Sequence, residues 1–471
     1  MGQILNFQLG QVVYILQRIN SMNHEKFNFT TLEQILQKAS ELNLFFHVSS
    51  DFSCFWKPIK TSAIELENRF VIHPMEGCDG KNDGSPDELT YRRYQRFALS
   101  GAAVVWVEAT SVVKEGRASP RQLWLHKDNI RQFINLLTLS KKAARETYGN
   151  SFKQKYILQL THSGRYSRPD GVPCPVLTHR NPILDKSLMI PFNYPIITDS
   201  ELERLEDSFV EAARYAYESG FDGVDIKSCH RYLISDLLGA YTREGSKYGG
   251  TFENRTRFLL NVIDKIKNSL PQVLITTRLN VYDGIAYPYG FGVDKENEKK
   301  PDLTEPLNLI KELSSRGVNL ISISVGTPYY NPHINRPYDT PILNGYTPQE
   351  HPLEGIYRFI SLVDLIQTTN PESIIVGAGY SWLRQFFPYF AAGVLHKKAA
   401  SLIGIGRLAL AYPECLRDLR EKGFLDPKKV CQTCSCCSQI MRNGGQVGCV
   451  LKDSSIYSPI FKAVRSFNTP V

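Results

Sequence analysis

The chain has 471 residues, 42% of them hydrophobic and 22% charged, the make-up of a folded globular chain rather than a disordered or fibrous one. Its net charge of +8 arises from 55 basic residues set against 47 acidic ones, mostly interspersed. That pattern argues against nucleic-acid binding and fits a smaller anionic partner, such as a phosphate-bearing cofactor or an acidic electron-transfer protein. Met1-Gly2-Gln3-Ile4-Leu5 lacks the basic start and apolar run of a secretory signal, and no stretch reaches the ~20 apolar residues of a membrane span, so a reducing cytoplasm is expected.

In chain order, residues 1–52 carry two apolar-periodic stretches, Ile4 to Ile19 and Leu32 to Leu44, joined by a polar link, which predict a helical extension packed on the main body. From about residue 53 to 420, short β-rich runs alternate with helix-periodic segments. The predicted strands are Arg69 to Ile72, Ala102 to Glu108, Tyr156 to Leu160, Gly223 to Ile226, Leu274 to Leu279, Leu320 to Ser324, Ile374 to Gly377 and Leu402 to Ile405. Thr198-Asp199-Ser200-Glu201 reads as a capping box opening a long helix that Gly220 stops. Eight such units, with no glycine-rich dinucleotide turn early in the chain, predict an α/β fold closed as a TIM (β/α)8 barrel rather than an open sheet. Residues 421–471 then form a small cysteine-rich segment and tail.

In a parallel barrel the loops leaving the strand ends share one rim, so chemistry is sought there. The first strand ends in His73-Pro74-Met75-Glu76-Gly77-Cys78 and the second in Glu108-Ala109-Thr110. The third carries Gln159, whose amide offers a donor and an acceptor. The fourth releases Lys227, His230 and Tyr232 within six residues, which supplies two hydrogen-bond donors for a carbonyl and a phenol able to deliver a proton. Asn254, Arg255 and Arg257 open the next helix and read as structural. Arg278 ends the fifth strand, the sixth leads into Tyr329, Tyr330 and His333, the seventh ends Gly377-Ala378-Gly379, and the eighth ends Gly404-Ile405-Gly406-Arg407. Glycine turns beside an arginine suit a phosphate group.

Together these motifs resemble the old yellow enzyme family of flavin-binding barrels, and within it the branch containing bacterial 2,4-dienoyl-CoA reductase, from about Phe55 to Cys449. The resemblance implies FMN across the barrel mouth. Pro74, Met75, Glu76, Ala109 and Gln159 would surround the ring system, Arg278 would stand at its pyrimidine side, and Gly379, Gly406 and Arg407 would hold its phosphate. It also implies that Lys227 and His230 bind a substrate carbonyl while Tyr232 donates a proton. The chain departs from the family in having Lys227 where histidine is common and Glu76 where a small polar residue often meets the flavin. Self-association is a further family habit.

Of the ten cysteines, five lie between Cys431 and Cys449, and in a reducing compartment this clustering argues for metal over disulfides. Four thiolates suit either an iron-sulfur cubane or zinc. The resemblance implies a four-iron four-sulfur (4Fe-4S) cluster on Cys431, Cys434, Cys437 and Cys449, with Cys436 as an alternative third ligand. A second, pyridine-nucleotide-binding region follows such a cluster in relatives, and no such fingerprint follows here. Electrons are therefore expected either directly from NAD(P)H or from a separate donor protein. The leading expectation is an ene-reductase that moves hydride from FMN N5 to a small unsaturated substrate, the C=C bond being conjugated to a carbonyl. The alternatives are an NADH oxidase or flavin electron-transfer protein, and a non-catalytic barrel bearing zinc.

Overall fold

The computed structural model describes residues 24–61 and 64–466. Eight strands close a parallel barrel: β1 (Phe70–Ile72), β2 (Val104–Ser111), β3 (Lys155–Thr161), β4 (Gly223–Ile226), β5 (Leu274–Asn280), β6 (Leu320–Ser324), β7 (Ile374–Gly377) and β8 (Leu402–Ile405). Closure is made by β8 on β1, with Ile403, Gly404 and Ile405 opposite Phe70, Val71 and Ile72. Every residue of β1, β2, β4, β6, β7 and β8 is buried, as expected for strands covered by helices outside and by side chains within. This is the expected TIM barrel.

Four strands, β4, β6, β7 and β8, have the bounds predicted from sequence, whereas β2 runs three residues further, to Ser111. Its polar end, Ala109-Thr110-Ser111, carries no hydrophobic signal, yet it pairs with Leu160 and Thr161 of β3 after a register slip past Val107. The predicted capping box opens helix Asp199–Glu218, with Thr198 accepting from the Glu201 amide and Glu201 returning the bond. Helix Pro352–Thr369 begins on a capping box of His351 and Glu354 that the sequence reading missed, because histidine is not a habitual cap.

A short hairpin, Ile59–Lys60 against Glu65–Leu66, lies ahead of β1. Its Leu66, with Ile64, packs on Val104, Leu320, Ile374 and Leu402 at the strand starts, and so covers the end of the barrel opposite the rim. Before it, helix Leu32–Glu41 buries Ile35 and Ala39, and Phe29 and Leu44 join the same core as the barrel. The expected helix from Ile4 to Ile19 lies outside the described residues. After the barrel, helices Cys436–Arg442 and Ser454–Ser466 enclose a small apolar cluster of Cys78, Ile440, Val447, Val450 and Tyr457. Through Cys78 this cluster touches the loop that leaves β1. Among the described residues no helix is long and apolar enough to cross a membrane.

Candidate active site

One cavity of about 1220 Å³ opens at the rim, and it gathers Pro74, Met75, Glu76, Gln159, Lys227, His230, Tyr232, Arg278, Gly379, Gly406 and Arg407. Each of the eleven was singled out from sequence, and their convergence follows from parallel strands delivering their C-terminal ends to one face. Ala109 is not part of the lining: it is buried in β2, where its carbonyl accepts from Gln122 Nε2 at 2.8 Å. Tyr329 lines the cavity, whereas Tyr330 and His333 do not.

The loop after β4 is unusual in backbone. His230 and Arg231 are both left-handed, with φ of 66° and 58°. Such a conformation costs a side-chain-bearing residue ~1–3 kcal/mol and persists only where the surroundings enforce it. Here the buried Arg231 guanidinium is tied to Asp236 and Asp283, each at 3.0 Å. The enforced turn brings His230 to the cavity, with Nε2 3.3 Å from Ser324 Oγ on β6. Burial and the neighbouring Arg278 push the His230 imidazole well below its ordinary value, so it is neutral near pH 7.

Beside it stands a compact charged and phenolic group. Glu76 Oε1 accepts from Lys227 Nζ at 2.9 Å and from the Tyr232 hydroxyl at 2.8 Å. The ammonium also lies 3.5 Å from the centroid of the Tyr232 ring. Tyr232 and Tyr329 hydroxyls are 3.1 Å apart, and the Tyr329 ring stacks on Tyr166 at 4.0 Å. Burial, reinforced by the Glu76 charge, raises the Tyr232 phenol well above its usual range, so it carries its proton. Lys227 is thus already engaged by a carboxylate, a partnership that no sequence spacing suggested.

Deeper in the mouth, Gln159 Nε2 donates to Asp225 Oδ2 at 2.6 Å, which fixes the amide's orientation. Burial lifts the Asp225 carboxyl to about 6. Arg278 is half-buried, its Nε is enclosed without a hydrogen-bond partner, and desolvation lowers its basicity. Arg336, which sequence reading did not pick out, lines the cavity beside Arg407; both reach Ser438 Oγ, at 3.0 and 3.4 Å. Arg336 Nη1 is buried without a partner, and burial together with Arg407 brings the guanidinium down to about 10. Among the described residues, Arg278, Arg336 and Arg407 form no ion pair. Three arginines without a direct ion pair in one cavity favour an anionic occupant.

A second cavity of about 390 Å³ is lined by Cys431, Cys434, Cys436, Cys437 and Cys449, all free thiols, and Cys437 faces both cavities. Thr433 and Ser435 are left-handed, with φ of 48° and 60°, which wraps the loop around its sulfurs. The Thr433 amide donates to Cys431 Sγ and the Lys452 amide to Cys449 Sγ, each at 3.4 Å. Among the described residues no three His, Cys, Asp or Glu side chains converge as a single metal ion requires.

A parallel barrel whose rim joins an anion-demanding mouth to a phenol and a neutral imidazole defines a cofactor-dependent barrel enzyme. The chain belongs to the NADH:flavin oxidoreductase / NADH oxidase family, a family of flavin-dependent oxidoreductases, which is matched over residues 54–305. An NADPH dehydrogenase of Clostridium acetobutylicum is 27% identical over 264 residues, covering 55% of this chain and 70% of that protein. A NADH oxidase of Thermoanaerobacter brockii is 25% identical over 377 residues, covering 79% of this chain and 51% of its own. Among solved structures, 2-naphthoyl-CoA reductase in complex with 2-naphthoyl-CoA superposes with a TM-score of 0.65 at 20% identity, over 82% of this chain and 54% of that one. The chain thus spans about half the length of the NADH oxidase and of the naphthoyl-CoA reductase.

Proposed function

We propose that the protein is an FMN-dependent ene-reductase acting on a C=C bond conjugated to a carbonyl. The observation that carries the reading is a single cavity lined by three arginines without ion pairs, a neutral imidazole and a protonated phenol. Arg336 and Arg407, with the left-handed Gly379 turn, would hold the phosphate of FMN, and Arg278 the electron-rich side of its ring. FMN so bound supplies the hydride. His230 donates a hydrogen bond to the substrate carbonyl, which stabilises the negative charge that develops there. Tyr232 gives its proton to the α-carbon, and the Tyr166–Tyr329 stack forms an aromatic wall beside it.

Cys431, Cys434, Cys437 and Cys449 would hold a 4Fe-4S cluster. The amide-to-sulfur bonds and the turned loop, which brings the five thiols to one small cavity, support this. Electrons would come from NAD(P)H or, through the cluster, from a separate donor protein. Likeness to a NADH oxidase over 79% of the chain favours one second reading, in which oxygen is the acceptor and no alkene is needed.

The test is an anaerobic spectrum of the purified protein with flavin and iron quantified, before and after NADH or NADPH, followed by cyclohex-2-enone. Bound FMN, bleached by the nucleotide and restored by the enone, supports the reading, with His230→Ala slowing the restoration about a hundredfold. Restoration by oxygen alone selects the oxidase reading, and folded protein without flavin overturns both.

A further inference from the structure

Lys227 and Glu76 do not face the substrate as two free groups; they close on Tyr232. One oxygen, Glu76 Oε1, takes both the Lys227 ammonium at 2.9 Å and the Tyr232 hydroxyl at 2.8 Å. The side chains of Lys227 and Glu76 are only 3% and 13% exposed, and Tyr232 is 2% exposed. A buried ammonium of this kind is held by its carboxylate partner, so Lys227 is poorly placed to serve a carbonyl as well. Tyr232 meets a different difficulty. Once it has protonated a carbon, its phenolate is buried beside an ionised carboxylate, and both the enclosure and the Glu76 charge oppose that state. The cation in contact with the ring is Lys227.

We propose that the Lys227–Glu76 pair is the proton store of Tyr232, returning over Glu76 the proton that Tyr232 has spent. This rests on the ene-reductase reading. In the first step the Tyr232 O–H bond breaks and a C–H bond forms at the substrate α-carbon. In the second a Lys227 N–H bond breaks, the proton crosses Glu76 Oε1, and the phenol O–H bond is remade; phenolate and ammonium become phenol and amine. A proton from cavity water then restores the ammonium, so each turnover consumes one solvent proton and no redox equivalent beyond the hydride. Lys227 and Glu76 are positioning residues in this scheme, and of the three only Tyr232 touches substrate. The other titratable groups that face them are Tyr329 and Tyr166 about the phenol, His230 beside the ammonium, and Cys78, Glu108 and Cys229 about the carboxylate. Cys78, Cys229 and Glu108 are buried.

The decisive comparison is between Lys227→Met and Lys227→Arg in the full-length, cofactor-loaded protein, with cyclohex-2-enone as probe and chemically reduced flavin at the start. Arginine keeps the charge and can pair with Glu76, but a guanidinium does not release its proton. Both variants should complete a first turnover at least tenfold faster than those that follow, while the unaltered protein shows equal turnovers. Steady turnover in Lys227→Arg would reduce Lys227 to a fixed charge and overturn the proposal. Should the enone fail to reoxidise even the unaltered protein, the ene-reductase reading falls, and a separate measurement still decides the store. With 3,5-difluorotyrosine at position 232 and its ionisation followed by fluorine NMR, Glu76→Gln should lower the pH of ionisation and Lys227→Met should raise it. An unmoved ionisation in both would refute the coupling.

Discussion

Asp236 is the residue whose loss should reach furthest from its own position. Its carboxylate accepts from Arg165 Nε and Nη2 at 3.1 and 3.0 Å and from Thr178 Oγ1 at 2.8 Å, and pairs with Arg231 Nη2 at 3.0 Å. The side chains of Arg165, Arg231 and Asp236 are all fully buried. Asp236→Asn preserves the shape but removes the charge and turns one acceptor into a donor aimed at a guanidinium. Arg165 keeps Asp185 and Arg231 keeps Asp283, so the two cations are weakened rather than orphaned. Breaking a buried pair on one side costs ~3–5 kcal/mol. The loss should be read as a shift in denaturant midpoint multiplied by the slope of the transition. The guanidiniums hold the Asp236 carboxyl well below its ordinary range despite its burial. A folded-state value depressed in this way gives stability that is complete above the unfolded value, ~3.9, and fades as the pH falls through the folded one. The gap between Asp236→Asn and the unaltered protein should therefore be full at pH 7 and narrow below about pH 4. A loss under ~1 kcal/mol at pH 7, or a gap that widens in acid, would refute the reasoning.

Arg336→Met removes one of the two guanidiniums at Ser438 and should weaken FMN binding at least tenfold, ~1.4 kcal/mol, in a fluorescence titration of apoprotein. Gly404→Ala places a methyl group against the His73 ring, where overpacking costs ~1–3 kcal/mol; an unchanged melting temperature would argue against that contact. Cys436 Sγ points back to the Cys434 carbonyl at 3.8 Å while Cys437 faces both cavities. Iron content should accordingly survive Cys436→Ser and fall in Cys437→Ser.

The barrel was legible because its signals are local and repeated: short apolar runs, helix caps, and glycine stops whose period needs no knowledge of contacts. Glu201 could be assigned to a capping box from four consecutive residues, and the structure has that box. The rim residues were legible for a related reason, since a parallel barrel converts position at a strand end into position at the mouth. What the sequence could not disclose are pairings between loops far apart in the chain. Glu76 and Lys227 are 151 residues apart, and nothing in either motif states that one neutralises the other. Arg336 sits in the loop after β6 with no spacing that marks it, and only its approach to Arg407 and Ser438 makes it part of an anion site.

The same long-range contacts explain why the cysteine-rich segment belongs to the site rather than hanging from the barrel. Ser438 receives Arg336 and Arg407, Cys437 lines the mouth, and Val447 O accepts from the buried Arg93, itself paired with Asp79 in the loop after β1. The Arg442 guanidinium lies 4.9 Å from the centroid of the Tyr329 ring and donates to Pro328 O, so the segment also steadies the aromatic wall. A change in charge at the cysteines therefore acts on Arg407 and Arg336 across a single residue, through partly buried groups where electrostatic interactions are weakly screened. A cluster held there would be felt at the anion site it adjoins.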